Sequence, residues 1–475
     1  MENEILDSIA NDSLSLDSLS ALIPQVPDSV ATALTEVAEK ADGIPGWMLI
    51  PFAVMLLCIA ILPLIPHVGE WWEHNTHKLY VSLILGVPVG IWLCMHGMSH
   101  DLMHQMIGDY VPFILLLMAL FVTTGGICIR GDLKATPLVN TSILAIGWVL
   151  ASFMGTTGAA MLLIRLLLST NQQRKYRVHT VLFFIAIVAN CGGLLSPLGD
   201  PPLFLLFLKG ADFTWWMQNM VGEWLVTGGL LLAIYFLVDW YLYRKEPTEN
   251  LMADVREATK TEVSGLINIF WLICVVAATM FINDKYIDIL KPENYEHGHV
   301  PMYIARLREY VFILIIAASW LTTKKAIRVK NNYSWVPIME VACVFLGIFA
   351  TMTPALMYLS DHKEAIAEFI NAPWQYVYAT GLLSSFLDNA PTAMVFNEMA
   401  APEGLKLATD EFLKAISMGA VFFGAMTYIG NGPNFMVKSI AEQEGISMPS
   451  FFGYMIKFSL IVLLPVYIIV QLIFI

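Results

Sequence analysis

Charge is scarce in this chain. Only 14% of its 475 residues are Asp, Glu, Lys or Arg, against 57% hydrophobic, and the mean hydropathy of +0.66 lies outside the range of soluble globular proteins. The expectation is an all-α polytopic membrane protein whose first partner is the lipid bilayer. Cysteine is also sparse. The six residues Cys58, Cys94, Cys128, Cys191, Cys274 and Cys343 lie in apolar stretches without Cys-x-x-Cys spacing, so they read as buried small hydrophobes rather than a thiolate metal site. There is no phosphate-binding glycine loop and no His-Glu-x-x-His. A membrane enzyme therefore has no motif to rest on, and neither a bound cofactor nor a nucleic-acid partner is expected. Residues 1–44 lack a basic segment followed by a short apolar one, which argues against a cleaved signal peptide. They hold nine acids against Lys40, and so −8 of the net charge of −13. Residues 14–41 read equally as a short amphipathic helix or a disordered tail.

What is present is a series of apolar runs of membrane-spanning length, about 17 to 25 residues: Trp47–Pro66, Leu79–Gly97, Val111–Ile129, Leu225–Tyr243, Leu266–Ile282, Ser334–Tyr358 and Phe451–Ile475, with Arg308–Leu321 a shorter one. Four longer runs are interrupted. Two are doubled segments, 137–169 and 374–399, read as re-entrant hairpins that break near Gly155–Gly158 and Asp388–Pro391. Two are broken helices, 178–208 and 412–440, interrupted at Asn190–Pro202 and at Gly430–Pro433. Proline lacks a backbone donor and glycine is a poor helix former, so these interruptions leave carbonyls and amides without intrahelical partners. At membrane depth such backbone survives only inside protein or beside a wet cavity.

Cytoplasmic loops are enriched in Lys and Arg. The clusters Arg130/Lys134, Arg174/Lys175/Arg177, Arg244/Lys245/Arg256/Lys260 and Lys324/Lys325/Arg328/Lys330 fall on one side if both doubled segments enter and leave by the same face, which puts the N-terminal tail outside. The loop Asp284–Arg308 argues the other way, since it holds Lys285, Lys291, Arg306 and Arg308 on the outer side. The order span, hairpin, broken helix occurs twice: Phe121-Val-Thr-Thr124, Gly155-Thr-Thr-Gly158 and Ser196-Pro-Leu-Gly-Asp-Pro-Pro202, then Phe349-Ala-Thr-Met-Thr353, Leu387-Asp-Asn-Ala-Pro-Thr392 and Ile429-Gly-Asn-Gly-Pro-Asn434. The charge-derived topology inverts the second set relative to the first, the pattern of inverted-topology repeats in secondary transporters. The expected organisation is an acidic tail (1–44), a first transmembrane helix (45–78), repeat 1 (79–244), a connector with one transmembrane helix (245–306) and repeat 2 (307–475).

Asp200 and Asp388 sit inside the breaks, in related places of the two repeats. An ionised carboxylate facing lipid would cost about 2.5 to 3.5 kcal/mol, so each is expected to face a cation or a proton. Around them, free carbonyls, amides and hydroxyls would form a hard-oxygen shell suited to Na⁺ or Li⁺. The candidates are Thr156 and Thr157 on the first hairpin, and Ser384, Ser385, Asp388, Asn389 and Thr392 on the second. From the broken helices come Asn190, Ser196 and Asp200, with Thr427, Asn431 and Asn434 opposite. Each Ser or Thr could instead bond back to its own helix, each Asn could merely cap a helix end, and either Asp could be solvated in an interfacial loop. His96, His100 and His104 recur every fourth residue and would stack on one helix face, though an ordinary interfacial segment explains them too. Glu340 reads as a proton relay or a headgroup contact, Glu223 and Asp239 as solvated span ends, and Arg165 and Lys438 as snorkelling cations.

From about Leu79 onward, the Ser196–Pro202 and Ser384–Thr392 elements and their partners resemble the ion transporter superfamily, most closely its NhaD-type sodium/proton antiporters, and the chain is also similar to a citrate-transporter branch. The resemblance implies a homodimer in a bacterial-type inner membrane, with a scaffold and a transport domain of hairpins and broken helices that moves in elevator fashion. It further implies a principal cation and proton site at Asp388 with Asn389, Ser384 and Ser385, and a second carboxylate at Asp200. Two functions follow. One is exchange of Na⁺ or Li⁺ for H⁺, in which a carboxylate holds either ion and coupling is competition. The alternative is Na⁺- or H⁺-coupled citrate or dicarboxylate transport, which calls for neutral hairpin tips and helix N-termini aimed at an anion.

Overall fold

In the computed structural model, residues 43–65, 67–290, 304–363, 365, 368–402 and 404–475 are described. The amphipathic stretch expected within 14–41 and the acids and Lys291 of the 291–303 loop lie outside them. The described chain is helical almost throughout, and seven of its helices are long and apolar enough to cross a membrane. This is an all-α polytopic membrane protein.

The first helices are α1 (Leu49–Ile61), α2 (Asn75–Met95) and α3 (Ser99–Thr124). The first hairpin is α4 (Pro137–Met154) and α5 (Thr156–Thr170), and the first broken helix is α6 (Val178–Ile187) and α7 (Pro201–Leu208). Then come α8 (Val221–Tyr243), α9 (Ile267–Phe281), α10 (Leu307–Thr322) and α11 (Val336–Asp361). The second hairpin is α12 (Pro373–Phe386) and α13 (Asn389–Ala400), the second broken helix is α14 (Asp410–Phe423) and α15 (Gly432–Gln443), and α16 (Phe451–Phe474) ends the chain. One apolar core runs through both hairpins and both broken helices. The faces of α2, α9 and α10 turned outward are rich in exposed apolar side chains such as Ile84, Phe270 and Leu314, as lipid contact requires.

Helices α2 and α11 run parallel, joined by Asn75 Nδ2 donating to the Val336 carbonyl (3.0 Å), Lys78 Nζ to Glu340 (2.5 Å) and Ser82 Oγ to the Cys343 carbonyl (2.7 Å). Glu340 is therefore the partner of a buried lysine. The four basic clusters meet at one end of the molecule. Arg130 donates to the Lys330 carbonyl at 2.6 Å, Arg174 lies 3.5 Å from Glu246, and β1 (Cys128–Asp132) pairs antiparallel with β2 (Thr259–Ser264). At another end Lys285 pairs with Asp212, Trp215 donates to Asp410 (2.8 Å), Lys209 to Asp109 (2.7 Å), and Arg308 to Glu309 (2.9 Å). Two cations of the discordant 284–308 loop thus have acidic partners.

Several expectations need correction. The run Val111–Ile129 leaves the helix at Thr124, because Gly125 and Gly126 turn the chain into β1; a Cβ on Gly126 would lie 2.3 Å from the Asn268 amide. The three histidines do not share a helix face: His96 closes α2, Gly97 turns at φ +76°, and His100 and His104 lie on α3. Lys438 does not simply reach for water, since it pairs with Glu442 at 2.8 Å over the ring of Tyr428.

Glu223 and Asp239 are buried, not solvated. Glu223 lies 3.3 Å from Lys414. Asp239, fully buried, accepts from Arg174 (2.6 Å), His179 (2.9 Å) and Asn140 (3.1 Å), and so ties α8 to the base of the first hairpin and the start of α6. Removing one partner of a buried pair strands the other charge. Asp239→Ala is expected to destabilise the protein by about 3–5 kcal/mol, read as a fall in the thermal midpoint of detergent-solubilised protein; an unchanged midpoint would show that Arg174 does not need this partner.

Candidate functional site

The first hairpin turns on Gly155 (φ +80°, ψ 148°), a conformation that disfavours any residue with a Cβ. The second turns through Leu387 and Asp388 instead, with Asp388 Oδ1 accepting from the Ala390 amide at 3.0 Å as an N-cap. Each turn places the first residue of the returning arm, Thr156 or Asn389, at the centre of the molecule. Pro201, Pro202, Pro391 and Pro433 do not disrupt helices here. They lie in first turns, where a missing amide costs nothing, and the interruptions themselves lie upstream, at 188–200, 387–388 and 424–431.

The two breaks repeat one pattern of contacts. Ser196 Oγ donates to the Ser152 carbonyl and Thr427 Oγ1 to the Ser385 carbonyl, and each hydroxyl accepts from an amide two residues on, Leu198 or Ile429, at 3.2 Å. Both acceptor carbonyls stand four residues ahead of Thr156 and Asn389. In each break the chain passes itself so closely that a Cβ on Gly199 would lie 2.0 Å from the Gly193 carbonyl oxygen, and one on Gly430 2.6 Å from that of Gly424. The counterpart of Asp200 is therefore Asn431, not Asp388.

At the centre sits Asp200, 1% exposed. Its Oδ1 accepts from Thr156 Oγ1 (3.0 Å) and Asn431 Nδ2 (3.1 Å), and its Oδ2 from Asn389 Nδ2 (2.5 Å). Both hairpins and both broken helices thus converge on one carboxylate, at the N-terminal ends of α5, α7, α13 and α15, where the helix dipole favours negative charge. Among the described residues, its hydrogen-bond partners are all neutral. Asn389 Oδ1 is buried without a hydrogen-bond partner, an oxygen free to ligate a cation. Asn190 joins the halves, donating to Asn434 Oδ1 (2.7 Å) and the Ile185 carbonyl (2.8 Å) and accepting from Asn431 (3.2 Å). Asn434 in turn donates to the Gly424 and Thr427 carbonyls at 2.8 and 3.0 Å.

The remaining candidates hold backbone. Ser384 donates to the Ala420 carbonyl (2.8 Å), Ser385 to Gly381 (2.7 Å) and Phe423 (3.2 Å), and Thr392 to Asp388 (2.9 Å). Among the described residues no hydrogen bond joins Thr157 to the Asp200 cluster; it lines a cleft at the first hairpin turn, bounded by Leu120, Phe121, Met154, Thr156, Leu198, Ile338 and Val341. Asp388 is half-buried and caps its own helix.

Sequence reading missed three residues. Ser152 supplies the carbonyl that Ser196 uses and donates to the Gly192 carbonyl; its place four residues before Thr156, as Ser385 stands before Asn389, was the available signal. From α16, Tyr454 donates to the Ala425 carbonyl (2.7 Å) and Tyr467 meets Cys191 Sγ (3.7 Å), one tyrosine for each break. Nothing in their local sequence marks them.

A family model described as "Putative citrate transport" matches residues 41–475. No curated protein matches the chain. With nearly its whole length matched, the chain belongs to that transporter family, and it is a multi-pass membrane protein of a citrate/ion transporter type.

The close approach of backbone to backbone generates a graded prediction. Gly199→Ala and Gly430→Ala are expected to lose folded protein or to cut transport at least about tenfold, since overpacking at a rigid contact costs about 1–3 kcal/mol or more. Gly432, with open space around a Cβ, should accept alanine. Size-exclusion profiles and flux assays of the three variants decide it; equal tolerance at all three positions would contradict the packing described.

Proposed function

We propose that this member of the citrate/ion transporter family exchanges Na⁺ or Li⁺ for H⁺, with Asp200 as the group that holds either ion. The observation that carries the reading is a buried carboxylate whose partners are neutral. Such an anion is costly to keep in a low-dielectric interior unless a proton or a metal ion neutralises it, and both are small enough to reach it. Thr156, Asn389 and Asn431 orient the carboxylate through three charge-assisted hydrogen bonds. A hard monovalent cation arriving there would find the Asp200 carboxylate, the unpartnered Asn389 Oδ1 and the Thr156 hydroxyl oxygen. Coupling then needs no further device. The site crosses with a proton or with Na⁺, and the bare anion resists crossing. Asp388 enters through position: by capping α13 it fixes the turn that presents Asn389. In this reading the hairpins and broken helices move as one body, elevator-fashion, against a scaffold that includes α2 and α11, in a homodimer in a bacterial-type inner membrane.

The family description favours a second reading, coupled uptake of citrate or a dicarboxylate. Four helix N-termini at one point would suit an anion, but here Asp200 already occupies that field and no cationic side chain contacts it among the described residues. Bound cations would have to reverse the local charge before a tricarboxylate could approach.

Proteoliposomes with an internal pH dye separate the two. Wild-type protein is expected to alkalinise acid-loaded vesicles on addition of Na⁺ or Li⁺ without citrate. Asp200→Asn should abolish the response. Asp388→Asn, which keeps a cap of similar strength, should retain exchange within about tenfold of the wild type. Sodium-dependent citrate uptake without a sodium-driven pH change, or full exchange by Asp200→Asn, would overturn the proposal.

A further inference from the structure

How many charges cross in each cycle turns on a pair of residues at the two breaks. Asp200 and Asn431 occupy the same place in the two halves. Both are extended, at φ −144°, ψ 143° and φ −150°, ψ 140°, and both precede a helix with proline in its first turn. Each stands four residues after the hydroxyl, Ser196 or Thr427, that reaches across to a hairpin carbonyl. They also touch, Asn431 Nδ2 to Asp200 Oδ1 at 3.1 Å. One half offers an acid where the other offers its amide isostere. Aspartate at both positions would set two carboxylates side by side in a buried space, where they could not both ionise without additional positive charge. Asparagine leaves the pair with one negative charge, and its two amide hydrogens are shared among Asp200, Asn190 Oδ1 and the Ala189 carbonyl.

We propose that Asn431 sets the charge count of this site. The Asp200–Asn431 pair takes one positive charge at a time, so one Na⁺ exchanges for one proton and the cycle moves no net charge. The inference rests on the exchange reading above. In the step itself Na⁺ meets the protonated carboxyl, the O–H bond breaks with its electron pair left on oxygen, the proton passes to water and Na⁺ takes its place; the reverse occurs at the other face. Asp388 leaves the count unaltered when it keeps one charge state, because a fixed charge carried in both directions cancels over a cycle.

The test is sodium-driven proton flux in proteoliposomes, with and without an inside-negative potassium diffusion potential set by valinomycin. Wild-type rates are expected to be the same in both conditions. Asn431→Asp, with two adjoining carboxylates, should become several-fold sensitive to the potential and should be blocked by Ca²⁺ at concentrations the wild type ignores, since paired carboxylates with amide oxygens suit a divalent ion. Asn431→Ala removes the amide without adding charge, and whatever flux it retains should stay insensitive to potential. Several-fold potential dependence in the wild type overturns the proposal, as does a monodisperse Asn431→Asp protein that responds to neither potential nor Ca²⁺. If potential-driven exchange is found, the charge count alone fails; if no sodium-linked proton flux is found in the wild type, the exchange reading fails and the charge count with it.

Discussion

Broken backbone in a dry interior has to find its hydrogen bonds within the protein, and that requirement organises the centre of this molecule. Four elements are interrupted there, and each interruption frees carbonyls and amides that water does not serve. The polar side chains nearby answer most of that demand. Ser196 and Thr427 reach to hairpin carbonyls, Ser384 and Ser385 to carbonyls of the second broken helix, Asn434 to Gly424 and Thr427, and Asn190 to Ile185. Tyr454 closes the remaining carbonyl of Ala425 from α16. Once these obligations are met, Asn389 Oδ1, beside Asp200, is a buried polar atom of this centre left without a hydrogen bond. A cluster that looks from composition like a dozen equivalent ligands resolves into a backbone frame and a small centre.

The interruptions were legible because glycine and proline act locally: where they cluster inside an apolar run, a helix cannot continue, whatever packs against it. What could not be read was which side chain meets which. Asp388 looks as central as Asp200 in sequence, since both are acids flanked by apolar runs, and only the three-dimensional turn shows that Asp388 faces its own helix while its neighbour Asn389 faces Asp200. The burial of Asp239 was hidden for the same reason. Its place near the end of an apolar run predicts solvent, yet the base of the first hairpin folds over it and supplies Arg174, His179 and Asn140 from about sixty to one hundred residues away in the chain. The strand β1 escaped notice because Cys128 and Ile129 continue the apolar run without a break; the two glycines before them were the signal.

Two buried aspartates, Asp200 and Asp239, make the physical distinction on which a functional reading depends. Both are almost fully removed from solvent. Asp239 lies 2.6 Å from a guanidinium that is itself buried, and with His179 and Asn140 it completes a fixed set of partners. That charge is neutralised for the lifetime of the fold, so its contribution is to stability and to holding α8 against the first hairpin. Asp200 has an equally complete set of hydrogen bonds but no positive partner among them. Hydrogen bonds from neutral donors orient a carboxylate and lower the penalty of burying it, yet they do not cancel its charge. In the exchange reading proposed above, a proton or a metal ion supplies that balance and then leaves. A permanent cation such as arginine at the centre would leave no role for a visiting ion in that reading. The neutral shell of Thr156, Asn389 and Asn431 is the feature that sets Asp200 apart from a structural ion pair such as Asp239 with Arg174, and it supports the proposed exchange with residue types that composition alone would have assigned to helix capping.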